Sequence, residues 1–167
     1  MLKRSDADIK VAAKAWCEDV EAAREIYGPI SIWNTSEVTS MGFLFSATDE
    51  EGGGIGEASE SFNEDISRWD VSNVIAMDWM FAGASAFNGD LSSWDVSNVT
   101  SMEKMFLEAS AFNSNLSSWD VSNVTNMQWM FIAALSFNGD LSSWDVSNVT
   151  TMEGMFDGAS NHGGDVR

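Results

Sequence analysis

From Phe62 to Phe156, apolar side chains return to the same phase every 25 residues. The copies FNGDLSSWDVSNVTSMEKMFLEASA and FNSNLSSWDVSNVTNMQWMFIAALS carry the pattern most clearly. In Leu91–Val96 (LSSWDV) the apolar residues are Leu91, Trp94 and Val96, which predicts a short strand. Val99, Met102, Met105, Phe106 and Ala109 then follow the spacing of one helix face, which predicts a short helix. The segment that is SAFNGD at 85–90 and SAFNSN at 110–115 reads as a turn, pinned in the second case by Phe112. A unit this short cannot bury its own apolar face and must stack on its neighbours, so the period predicts a solenoid.

The flanks of the array read differently. Residues 5–27 predict one amphipathic helix: Ser5 with Asp8 resembles a capping box, and Ile9, Ala13, Trp16, Val20 and Ala23 form one stripe. Gly28-Pro29 ends it, because glycine suits the left-handed position after a helix and proline cannot continue one. Residues 1–29 are therefore expected to be a capping helix, and residues 30–167 a solenoid of about five coils. A worn copy opens the array, with Trp33, Val38, Met41 and Phe45 in the places of Trp69, Val74, Met77 and Phe81. It carries an acidic, glycine-rich insertion at 46–61, expected to be a mobile loop. After Phe156 the period predicts Phe at a position held by His162, so the last coil reads as unfinished and as a possible contact for self-association.

Thr100, Thr125 and Thr150 each precede Glu or Gln by three residues, which predicts capping boxes. The same threonines complete sequons at Asn98, Asn123 and Asn148. With Asn73, these asparagines recur once per coil and predict a buried ladder that satisfies backbone groups of adjacent coils, out of reach of a glycosyltransferase.

The string W-D-V-S-N-V-T-x-M-x-x-M-F-x-x-A-x-x-F-N-x-D-L resembles the 25-residue surface-protein repeat first noted in mycoplasmas and lactobacilli, a family of unknown function grouped with BspA-type leucine-rich repeats. The resemblance spans residues 30–166. It implies an α/β repeat, an LRR-like right-handed solenoid with a parallel sheet on one face. It also implies surface display and binding roles, with no catalytic residues.

Net charge is −18, and residues 28–167 hold only Arg68, Lys104 and Arg167 as cations. Such a surface repels nucleic acid and anionic lipid and suits a basic partner, divalent cations or plain solubility. Asp70, Asp95, Asp120 and Asp145 recur once per coil and should point outward. They read as a solvated stripe with local hydrogen bonds, as a calcium site, or as a surface for a basic partner. Asp65, Asp90 and Asp140 form a second file, broken by Asn115. Trp33, Trp69, Trp94, Trp119 and Trp144 read as core, with sugar stacking as the alternative. Trp79 and Trp129 occupy a position that is Lys104 and Gly154 in other copies, so both are expected to be at least half exposed and to form a contact patch around Lys104.

Catalytic signatures are missing from the sequence. The one histidine, His162, stands alone, and no nucleophile elbow, phosphate loop or zinc ligand set occurs. Cys17, the one cysteine, reads as a packing residue and leaves no intrachain disulfide to form. No signal peptide is visible and no stretch is apolar enough to cross a membrane. The sequence thus predicts a non-enzymatic protein-interaction or adhesion module of the cell surface or a secreted protein. A calcium-stabilised binding module is the alternative. Ice or mineral binding is a third reading, lowered because the threonines are committed to capping.

Overall fold

The computed structural model describes residues 3–48, 52–161 and 163. His162, Asp165, Arg167 and residues 49–51 of the insertion lie outside the described residues. Among the described residues, helices occur only near the N-terminus and in the insertion. They are α1 (Asp6–Glu18), α2 (Val20–Tyr27) and two single 3-10 turns, Ile30–Ile32 and Glu57–Ser59.

The single helix expected over 5–27 is two helices. Ser5 caps α1 by accepting the Asp8 N–H at 3.3 Å. Asp19 breaks the run with extended backbone (φ −154°), and its carboxylate accepts the Ala22 N–H at 3.1 Å to start α2. Gly28 at φ 74° ends α2. The stripe does face inward: Ile9, Ala13, Trp16 and Ala23 are buried, and Trp16 meets Trp33 edge-on at 5.9 Å.

The predicted α/β architecture, an LRR-like right-handed solenoid with short parallel strands and short helices, does not form. Among the described residues the repeats contain no strand and no α-helix. Units meet through isolated parallel bridges at Ser40–Ala76, Ala76–Ser101, Ser101–Asn126 and Asn126–Thr151. The expected strand Leu91–Val96 is taken up by tight turns, with Trp94 N–H bonded to Leu91 O and Val99 N–H to Val96 O.

The expected helix is also a run of turns. Met105, Leu107 and Ala109 donate their N–H groups to Met102, Lys104 and Phe106, three residues back. The intervening N–H groups of Met102, Lys104, Phe106 and Glu108 leave the unit and donate to Asn126, Gln128, Met130 and Ile132. An α-helix would return every N–H to its own chain four residues earlier. Here alternate donors are given to the neighbouring unit, and left-handed residues at Lys104 (φ 53°) and Glu108 (φ 56°) turn the backbone to do so. A non-glycine residue costs about 1–2 kcal/mol in that region, so inter-unit bonding must outweigh it.

Side chains follow the same register. In one unit, Leu91, Trp94, Val96, Val99, Met102, Met105, Phe106, Ala109 and Phe112 are all buried. Phe106 stacks on Phe112 at 3.9 Å within the unit, on Phe81 at 5.6 Å on one side and on Phe131 at 5.5 Å on the other. Burying each such ring contributes about 1.5–3 kcal/mol, enough to exceed the backbone strain of its unit.

The described part of the insertion folds back on the first unit. Ile55 and Gly56 N–H both donate to Ser46 O, at 2.8 and 3.2 Å. Gly53 lies so close to Phe43 that a Cβ there would be 2.9 Å from the ring. These residues of the insertion therefore pack against the first unit.

Candidate interaction surface

The aspartates of the main file are exposed, as expected. Each closes a tight turn: Oδ1 of Asp70, Asp95, Asp120 and Asp145 accepts the N–H of Ser72, Ser97, Ser122 and Ser147 at 3.0–3.1 Å. The serine hydroxyl adds a second bond at 2.6 Å in the first three. Asn34 stands in this file in the worn copy and makes the same turn with Ser36. In the second file, Asp65, Asp90 and Asp140 bond Ser67, Ser92 and Ser142, and Asn115 does the same with Ser117. The turn therefore needs an acceptor oxygen and not a charge.

The hydroxyl and N–H of the serine two residues on hold Asp65 and Asp120 below the ordinary carboxylate range. The neighbouring serine lowers Asp90, Asp140 and Asp145 likewise. These groups are ionised at neutral pH, so both files are negative. Among the described residues no group of three or more acidic, histidine or cysteine side chains is arranged to hold a metal.

Just after the main file in each unit come ladders of neutral side chains. Asn73, Asn98, Asn123 and Asn148 each donate Nδ2 to the backbone of the preceding unit, at Ser36, Ser72, Ser97 and Ser122. The ladder is as expected, but these asparagines are exposed rather than buried. Thr100, Thr125 and Thr150 cap no helix. Each hydroxyl donates to a carbonyl of the preceding unit, at Ile75, Thr100 and Thr125.

The Trp79–Lys104–Trp129 group differs from expectation in exposure. Trp79 is only 2 % exposed, and Lys104 and Trp129 are half-buried. The three form one file: the Lys104 ammonium lies 3.9 Å from the Trp79 ring centre and 4.6 Å from that of Trp129. Phe43 stacks on Trp79 at 5.5 Å at one end, and at the other the Trp129 indole covers Gly154. Every member has positive φ, from 53° at Lys104 to 61° at Phe43, with Gly154 at 59°. Gly154 in this column reports the left-handed backbone, not an open surface slot.

Trp33, Trp69, Trp94, Trp119 and Trp144 are buried, and each indole N–H donates to a carbonyl upstream, at Gly28, Ile30, Ile66, Leu91 and Leu116. They are core residues and have no face free for a sugar. Cys17 packs against the core, and burial with nearby Glu18 and Glu64 pushes its thiol up to about 12. At the N-terminal end an open cleft of about 470 Å³ is lined by Arg4, Asp8, Ile26, Tyr27, Ile32 and Trp33. Arg4 is wedged between Tyr27 and Trp33, with its guanidinium on Asp8 at 2.8 Å.

Among the described residues no helix is long and apolar enough to cross a membrane. Comparison with curated proteins and with solved structures found no match. A family profile does match, over residues 19–94 and again over 54–167, and its description is Mycoplasma protein of unknown function, DUF285. Those two stretches together span residues 19–167 and take in every repeat, and the chain belongs to the DUF285 family.

Proposed function

We propose that this chain is a non-enzymatic interaction module whose acidic flank binds a basic protein surface. The observation that carries the reading is the pair of exposed, parallel aspartate files, repeated unit by unit in a chain of net charge −18. Such a regular negative field steers cationic partners and gives salt-dependent binding. Surface display and kinship with BspA-type repeats belong to the same proposal and rest on the sequence resemblance.

The asparagines already present in both files make a clean test possible. A variant with Asp70, Asp95, Asp120 and Asp145 all changed to Asn keeps each turn and removes the charge. Binding to poly-L-lysine, followed by calorimetry at low and moderate salt, should weaken markedly in the variant while its circular dichroism is unchanged. Equal binding by both proteins would overturn the proposal.

A second reading gains one observation. The threonine file, with Thr39, Ile75, Thr100, Thr125 and Thr150, is exposed and free of any capping duty. Ice or mineral binding through that file is tested by ice recrystallisation, and unaltered crystal growth would dispose of it.

A further inference from the structure

One ladder of asparagines is chemically uneven. Asn63, Asn88 and Asn113 are exposed, and each Oδ1 accepts the N–H of its counterpart one unit on, that of Asn88 at 2.9 Å and those of Asn113 and Asn138 at 2.8 Å. What differs is the residue that follows: Glu64, Gly89 and Ser114. Glycine has no Cβ to shield its own nitrogen. The Gly89 N–H has no acceptor among the described residues. The Asn113 N–H meanwhile polarises the Asn88 side-chain carbonyl, at the oxygen where negative charge grows when Cγ is attacked. A free nucleophile and a polarised electrophile thus sit on adjacent residues, both reached by solvent.

We propose that Asn88–Gly89 is a site of spontaneous deamidation in the folded protein. Hydroxide takes the Gly89 amide proton, and the nitrogen attacks Cγ of Asn88. The new N–Cγ bond closes a succinimide. The Cγ–Nδ2 bond breaks, and Nδ2 leaves as ammonia with a proton from water. One water molecule then opens the ring. Opening at Cγ gives aspartate, and opening at the main-chain carbonyl gives isoaspartate, with one extra carbon in the backbone. The aspartate product still presents an acceptor oxygen to Asn113, as Asp and Asn replace one another in the turn files. It also adds a negative charge, taking the chain from −18 to −19. The reaction is one-way, so the acidic surface grows with the age of the molecule.

The test incubates the full chain at physiological pH and temperature, folded and in urea, and follows each asparagine by peptide mapping and mass. Asn88 should convert in the folded chain at a rate within about ten-fold of its rate in urea, while Asn63 and Asn113 remain amides. A greater slowing on folding would show that the turn shields the site and would overturn the proposal. Equal conversion of Asn113 in the folded chain would overturn the role of the glycine. Gly89→Ser places there the residue that the next unit carries at 114, and should slow conversion of Asn88 about ten-fold or more. An unchanged rate in that variant counts against the mechanism. Asn88→Asp reproduces the product. Its circular dichroism and the hydrogen-exchange protection of the Asn113 amide should match the parent, and loss of that protection would overturn the claim that the ladder accepts the product.

Discussion

Asp6 grips Thr39 with both carboxylate oxygens: the Thr39 N–H donates to Oδ1 and its hydroxyl to Oδ2, each at 2.7 Å. In later units the same two donors of Thr100, Thr125 and Thr150 go to one backbone carbonyl of the unit before. A side chain from α1 thus replaces the carbonyl that an earlier unit would provide. Asp6→Ala strands these donors and that of Ser40, and should cost about 1–3 kcal/mol. Urea unfolding measures it, and Asp6→Asn should recover part of the loss through its remaining oxygen.

Acid should destabilise the fold within a defined window. Burial raises the Asp6 carboxyl, but bonds from Thr39 and Ser40, with Lys10 nearby, outweigh it and leave the group below its ordinary 3.8. Asp65, Asp90, Asp120, Asp140 and Asp145 are lowered too, through their serines. A depressed folded-state value means the unfolded chain takes up protons first. The stabilisation is complete above the unfolded value and disappears as pH falls through the folded ones. The urea midpoint should be level from neutral pH to about 5 and then drop steadily below about 4.

Lys104 is clamped between two indole faces, and no carboxylate pairs with it among the described residues. Lys104→Gln keeps a long polar side chain and removes the cation, so the loss should be about 1–2 kcal/mol. A shift in tryptophan emission should accompany it. If stability is unchanged, the ammonium contributes nothing to the file.

Glu108 is exposed and held at φ 56°, at a position where two other units use Gly83 and Gly158. Its N–H still serves Ile132, and glycine keeps that bond. Glu108→Gly should relieve about 1–2 kcal/mol of backbone strain and return about half of that through unfolded-state entropy. The thermal midpoint should rise by roughly 2–4 °C per kcal/mol gained.

Calcium should leave the protein's stability untouched if the aspartates serve only their turns. Each main-file carboxylate already spends one oxygen on its serine. Melting in millimolar calcium against chelator should differ by less than about one degree, whereas a site filled a hundredfold over its Kd would contribute about 2.7 kcal/mol.

Much of the packing was legible from single residues. Trp94 falls between Leu91 and Val96, and all three are buried. Asn98 recurs at the period of its unit, and its amide bonds one unit back. The secondary structure was not legible, because Val99, Met102, Met105 and Phe106 space themselves as on a helix while the backbone alternates local and inter-unit bonds. The signal against a helix was the glycine at 83, 154 and 158, columns that the structure holds at positive φ. Gly154 instead suggested that Trp79 was exposed, although stacking against Phe43 and Lys104 keeps it buried. Asp19 is also a capping residue, hidden in sequence by the continuous apolar stripe around it.

Asn34 and Asn115 close the same turns as their aspartate counterparts. Folding and electrostatics are consequently written in separate letters at these positions. A lineage or a designer can dial the negative field up or down, one carboxylate at a time, without disturbing the scaffold that presents it.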